Sequence, residues 1–169
     1  VTFPRTVGQV PYYYNYKNTG RPMDEKQKYN SKYIDISNTP LFPFGYGLSY
    51  TTFEYSSPRL SASKIRKTES LKVVVDVKNI GRRAGEEVVQ LYIRDEYGSV
   101  TRPVKELKGF QKIALVPGEK KSVEFTLTPE LLSMYDINMK WGVEAGTFKV
   151  YVGTNSVDVQ EASFEVSEL

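Results

Sequence analysis

Carboxylate pairs are the residues of this sequence that could act on a bond, and three groups qualify by spacing: Glu86-Glu87, Asp95-Glu96 and Asp136. An acid and a nucleophile must converge on one bond to be useful. Consecutive residues of a strand face opposite sides, so neither adjacent pair can converge. They read as solvated strand or turn carboxylates. Asp136, following Tyr135, reads as a strand-end cap or turn residue. The sequence contains no histidine and no cysteine. That removes imidazole bases, thiolate nucleophiles, disulfides and the usual zinc ligands together. No catalytic, cofactor-binding or metal-binding residue is assigned. The lack of cysteine suits the cytosol and a Gram-negative periplasm equally.

Aromatic rings are the remaining candidates, because the apolar face of a sugar stacks on Tyr or Trp. Tyr12, Tyr13, Tyr14 and Tyr16 form one cluster, and Trp141 stands alone. The competing role for the Tyr cluster is to fill a seam between domains, and for Trp141 to sit in a sandwich core. These structural roles are the expectation. The run Pro43-Phe44-Gly45-Tyr46-Gly47 is rich in glycine but lacks the lysine and spacing of a phosphate loop. Gly45 and Gly47 are expected to permit positive φ or close backbone approach, while Phe44 and Tyr46 dock into apolar pockets. Tyr12, Tyr13, Tyr14, Tyr16, Phe44 and Tyr46 are therefore the candidate contacts with a neighbouring domain or a sugar rim.

The elements that must position these side chains divide near Thr52. Residues 1 to 55 hold nine of the 13 Tyr, four of the eight Phe and five of the nine Pro, with little periodicity of either kind. Irregular stretches longer than about 12–15 residues are usually functional loops or linkers, yet disordered linkers lack aromatics. The two facts are reconciled by an extended ribbon, residues 1–51, that lays its rings on a neighbouring domain. Such a ribbon is not expected to build a self-contained core with residues 52–169.

Residues 52–169 read as an all-β sandwich. Leu71, Val73, Val75 and Val77 alternate with Lys72, Asp76 and Lys78, and Val89, Leu91 and Ile93 alternate with Gln90, Tyr92 and Arg94. A less regular run, Val104 to Leu115, is anchored by Leu107, Phe110 and Ile113. Asn79-Ile80-Gly81 marks a turn, and Val116-Pro117-Gly118-Glu119 a tight one with Gly at positive φ. Val123, Phe125 and Leu127 follow, then a helical turn capped by Thr128 with Pro129 at its first position. Short extended pieces lie at Tyr135-Asp136 and Lys140 to Val143. Phe148, Val150 and Val152, then Ala162, Phe164 and Val166, complete two more strands. With an opening strand over 53 to 60, this predicts about seven strands.

At 169 residues the chain has one ordinary core plus an appendage. Its 23 basic and 20 acidic residues leave a net charge of only +3, with no clustered Lys or Arg. Neither a nucleic-acid partner nor an anionic membrane is favoured, and no apolar run reaches the length of a membrane span. The opening Val1-Thr2-Phe3-Pro4, without an initiator Met or signal peptide, reads as a cut inside a longer protein.

The run Leu41-Phe42-Pro43-Phe44-Gly45-Tyr46-Gly47-Leu48-Ser49-Tyr50-Thr51-Thr52-Phe53 resembles the segment leading into the C-terminal fibronectin type III-like domain of glycoside hydrolase family three. Phe3-Pro4-Arg5, Gly8-Gln9, Tyr13-Tyr14-Asn15 and Gly20-Arg21-Pro22 resemble the end of that family's α/β sandwich domain. Val77 to Gly81, Gly85 to Tyr92, Leu107 to Phe110 and Val143 to Phe148 resemble the fibronectin-like domain itself. The resemblance implies a fibronectin type III-like, immunoglobulin-like seven-stranded sandwich preceded by an irregular aromatic ribbon. It implies a β-glucosidase-like, retaining, exo-acting enzyme as parent. Such enzymes place two carboxylates roughly 5–5.5 Å apart, an Asp on a barrel and a Glu on the second domain, both expected upstream of Val1. The fragment is thus expected to be inert and accessory, with the upstream catalytic domains as partner, an oligosaccharide as the parent's substrate and no cofactor. The family's secretory habit implies a periplasmic or extracellular location. An independent carbohydrate-binding module and a protein-interaction module are the alternatives.

Overall fold

The computed structural model describes residues 1–20, 24, 26–27, 29–30 and 32–168. Arg21 and Pro22, which carry part of the family resemblance, lie outside the described residues. Regular β-structure begins at Phe53. In chain order the strands are β1 (Phe53–Tyr55), β2 (Arg59–Leu60), β3 (Lys64–Arg66), β4 (Leu71–Asn79), β5 (Gly85–Asp95), β6 (Glu106–Leu115) and β7 (Lys120–Leu127). The turn of helix α1 (Pro129–Leu132) follows, then β8 (Met134–Tyr135), β9 (Trp141–Gly142), β10 (Gly146–Gly153) and β11 (Val159–Ser167).

Two sheets face each other. In the first, β4 is central, with β7 along one side and β1 and β2 in succession along the other. The second runs β3-β11-β10-β5-β6, antiparallel except for the parallel β11–β3 pair. Strands β8 and β9 form a separate ribbon. Seven strands match the expected set, β8 and β9 fall on the two expected short extended pieces, and the three-residue β3 is additional. The expected opening strand over 53 to 60 is split in two. Pro58, buried between its halves, has no N–H to give the ladder.

The inward faces are those that alternation predicts. Val73, Val75 and Val77 of β4, Val89, Leu91 and Ile93 of β5, Val123 and Leu127 of β7, and Val150 and Val152 of β10 are all at most 2 % exposed. Phe148 and Phe164 stack across β10 and β11 with ring centroids 5.4 Å apart. Burying a side chain of this size stabilises by about 1.5–3 kcal/mol, so this layer carries most of the fold. Polar ends are satisfied inside it. The fully buried Asn79 donates to the carbonyls of Arg83 (2.8 Å) and Leu115 (3.0 Å) and accepts from Gly81 N–H (3.0 Å) and Thr51 hydroxyl (2.6 Å). Gly118 takes φ +79 in the 116–119 turn, closed by Glu119 N–H to Val116 O at 3.0 Å. Thr128 caps α1 through a bond from Leu131 N–H.

Two packing expectations are corrected. Phe110 is 67 % exposed and is no core anchor. The register slips between Leu91 and Tyr92, which face Gly109 and Leu107 and leave Lys108 unmatched. Before that slip the register is unbroken, so Gly109 shares the core face with Leu91, where an added Cβ would lie 3.2 Å from the Phe125 ring, and Phe110 shares the outer face with Gln90 by ordinary alternation. Trp141 is 57 % exposed, so the sandwich core is not its place. It lies on the β8–β9 ribbon, edge to face with Tyr135 at 5.0 Å and 61°. Leu91→Ala is expected to cost about 2–5 kcal/mol, whereas Phe110→Ala should stay within about 0.5 kcal/mol. Urea unfolding of the two variants checks the corrected register.

Candidate functional site: the ribbon seam

Strand β5 reads Val88-Val89-Gln90-Leu91-Tyr92-Ile93, and alternation puts Gln90 and Tyr92 on the face turned away from the other sheet. That face is nonetheless covered. Tyr92 is fully buried and Gln90 only 5 % exposed. The cover is the ribbon. Tyr14 meets the Tyr92 ring edge-on at 5.8 Å and stacks on Phe44 at 4.2 Å, and its hydroxyl accepts from Leu107 N–H at 3.2 Å.

Gln90 is the pin. Its carboxamide donates to the carbonyls of Gly45 (3.1 Å) and Thr154 (2.6 Å), and its oxygen accepts from the Tyr92 hydroxyl at 2.5 Å. Burial pushes that hydroxyl well above its usual range, so it remains a donor. The partner carbonyl is presented by a turn, with Tyr46 N–H on Pro43 O at 3.1 Å and Gly45 at φ +80. Any Cβ on Gly45 would overlap the Gln90 carboxamide. Beside it Phe44 O accepts from Ser156 N–H at 2.9 Å, while Lys105 donates to Ser156 O at 2.7 Å and lies 4.3 Å above the Tyr151 ring. Desolvation lowers the Lys105 pKa. Further along, Lys17 bridges to Pro103 and Val104 N–H reaches Tyr16 O at 2.9 Å.

Away from the sandwich the ribbon is pinned to itself. Phe3 pairs with Phe42, their rings 6.3 Å apart and nearly perpendicular, and Phe42 touches Tyr46 at 5.0 Å. Gln9, 2 % exposed, donates to Ser37 O at 2.9 Å and accepts from Arg5 N–H at 2.5 Å. Tyr12 hydroxyl donates to Asn38 O at 2.7 Å. Of the candidate rings, then, Tyr14 and Phe44 meet in the seam, Tyr12 is half-buried in the ribbon, and Tyr13, Tyr16 and Tyr46 face outward. They do not form one platform. Gln90, Tyr92, Lys105 and Ser156, which receive the ribbon, were missed. The near-continuous apolar character of 88–93 was the available signal, since it marks a strand covered on both faces.

The carboxylates all have structural occupations. Glu87 accepts from Tyr55 hydroxyl at 2.7 Å, Glu86 pairs with Lys112 at 2.6 Å, and Glu96 pairs with Lys149 at 3.4 Å. Burial, and then the bond to Glu87, push the Tyr55 hydroxyl far up. That pair lines a groove of about 670 Å³ between residues 45–55 and the β10–β11 turn. Asp136 accepts from the N–H groups of Lys140 and Asn138, which hold its pKa below the usual range. Asp95, 7 % exposed, accepts from Tyr97 N–H at 3.2 Å, while its Oδ2 has no partner among the described residues. Burial raises its pKa. Among the described residues no three metal-ligating side chains gather, and no helix is long and apolar enough to cross a membrane.

Sheet order, turn chemistry and the covered face define a fibronectin type III-like sandwich with a ribbon laid over its five-stranded sheet. A profile of the fibronectin type III-like domain matches residues 87–156. The chain is 46 % identical over 168 residues to the periplasmic β-glucosidase of Salmonella typhimurium, covering 98 % of this chain and 22 % of that one. It is 45 % identical over 168 residues to a putative β-xylosidase of Formosa agariphila, covering 99 % and 21 % respectively. The crystal structure of a β-glucosidase from Listeria innocua in complex with glucose superposes with a TM-score of 0.92 at 46 % identity, over 98 % of this chain and 23 % of that one. The chain belongs to glycoside hydrolase family three and includes its fibronectin type III-like domain. It spans about one fifth of the length of the relatives it matches.

Gly45→Ala combines strain at positive φ with loss of one of the three hydrogen bonds of the buried Gln90 carboxamide, at a cost of about 1–3 kcal/mol. Limited proteolysis should cut the ribbon faster in this variant, with the sandwich fragment surviving. For Asp95 the raised folded pKa fixes a sign. Stability is greatest where the carboxyl is protonated in both states, and it falls as pH rises from the ordinary carboxylate value through the raised one. Asp95→Asn should remove that slope and raise Tm at pH 7, as read by thermal melts from pH 3 to 7.

Proposed function

We propose that the chain is the C-terminal accessory region of a longer, secreted, β-glucosidase-type enzyme, and that it buttresses the catalytic domains without catalytic groups of its own. One observation carries this reading. Among the described residues, fourteen large apolar side chains from Val1 to Tyr50 are exposed, including Phe3, Ile34, Leu48 and Tyr50, while the buried apolar core draws none from that stretch. Apolar exposure on this scale within one segment supports an interface. Residues 1–51 are then the tail of the preceding domain and the connection, and 52–169 the sandwich. The parent would hydrolyse terminal β-D-glucosyl or related residues with retention, and the names of the relatives support that substrate class. A periplasmic or extracellular site of action accords with the Salmonella relative's name.

A free-standing carbohydrate-binding module is less well supported, because Tyr135 and Trp141 meet at 61° and share no flat face. The 169-residue chain is expected to release no p-nitrophenol from p-nitrophenyl β-D-glucoside and to give no binding heat with cellooligosaccharides in isothermal titration. Turnover, or saturable binding, would overturn the accessory reading.

A further inference from the structure

The ribbon is not the only unburied apolar surface. Strands β8 and β9 and the turn between them expose Tyr135 (56 %), Ile137 (71 %), Met139 (75 %) and Trp141 (57 %) together, from a base where Met134 is buried. Four large apolar side chains in seven residues would cost solubility with no return unless something covers them.

The hairpin holds its shape without a partner. Asp136 N–H bonds Lys140 O and Met139 N–H bonds Asp136 O, both at 3.0 Å. The Asp136 carboxylate takes the N–H groups of Asn138 (2.8 Å) and Lys140 (2.9 Å). Met139 is held at φ 61, a conformation that non-glycine residues adopt at a cost. At its flank Ser99 hydroxyl accepts from Ile137 N–H at 3.2 Å and also bonds Glu144, whose other oxygen takes Ser99 N–H at 2.7 Å. Ordering is thus complete before any contact is made, which lowers the cost of association. Trp and Tyr on a rigid projection are the residues that dominate interfaces.

We propose that this hairpin is a second docking point, separate from the ribbon, for the part of the same polypeptide outside these 169 residues. The proposal rests on the reading that the chain belongs to a longer enzyme, and two observations choose that occupant. Nearly four fifths of each matched relative lies beyond the matched region. The hairpin is also continuous with the ribbon seam: the loop that Ser99 ties to the hairpin also contains Val104, whose N–H bonds the ribbon at Tyr16 O. A single body resting on the ribbon therefore reaches the hairpin through one hydrogen-bonded loop. The rings' mutual tilt of 61° denies a sugar the coplanar platform it would need.

Trp141 is the chain's single tryptophan and reports on the hairpin directly. Acrylamide quenching of its fluorescence is measured in the 169-residue chain and, as the difference between wild type and Trp141→Phe, in the longer polypeptide. The quenching constant should be high in the chain and fall severalfold in the longer protein. Equal quenching in both overturns the proposal, as does protection of the isolated chain that grows with its concentration, which marks a second copy, or protection by cellobiose or xylobiose, which marks a sugar site. Tyr50→Trp in a Trp141→Phe background reads the ribbon by the same method. Shielding at position 50 with none at 141 sinks only the hairpin proposal; shielding at neither sinks the accessory reading as well.

Discussion

A carboxamide buried on the outer face of a sheet must be fully hydrogen-bonded or it destabilises the protein, and Gln90 meets that demand by joining parts of the chain that would otherwise be independent. It bonds the 43–46 turn, the β10–β11 turn and the neighbouring Tyr92 at once. The rest of the seam depends on where that amide sits. The turn must carry glycine at 45, Phe44 must lie flat against Tyr14, and Tyr14 must come down on Tyr92. The sandwich closes by hydrophobic burial between its sheets. The ribbon is held by polar pins and stacked rings, and these give direction more than bulk stability.

This division of labour explains why the ribbon has neither strand nor helix beyond a short 3-10 turn at Val7–Gln9 among the described residues. Its backbone groups are satisfied piecemeal, by Gln9, by Tyr12 and by the Phe3–Phe42 bridge. One side of it meets β5 and the loop before β6, and the other side presents Val1, Phe3, Leu48 and Tyr50 to the exterior. That exposure is what the proposed interdomain role of the ribbon requires. Among the described residues the buried apolar core takes no side chain from 1–50, and Tyr14 and Phe44 anchor the ribbon locally on Tyr92.

The carboxylates teach a related lesson. Glu87, Asp95 and Asp136 differ in burial and partners, and each is engaged in holding a strand face, a loop or a turn. Their altered or hidden positions come from scaffold duties, which is why an acidic side chain in a cleft, such as Glu87 beside Tyr55, does not by itself make a site.

The sandwich, its turns and its inward faces were legible in the amino-acid order. Alternation from Leu71 onward, Pro117-Gly118 and Thr128-Pro129 are local signals whose physics acts within a few residues. The absence of chemistry based on His or Cys was equally legible, since composition alone decides it. Which outward face is covered emerges only in the folded chain, because Gln90 and Tyr92 alternate correctly whether ribbon or water lies above them. The fold likewise revealed that Pro58 splits the opening strand, that pairing with Gln90 puts Phe110 on the outer face, and that a one-residue bulge falls at Lys108. It moved Trp141 from core to hairpin, because a large ring reads as buried wherever no partner is visible in the local pattern. The contacts that cover β5 and set the bulge join residues far apart in the chain, and periodicity carries no record of such distances.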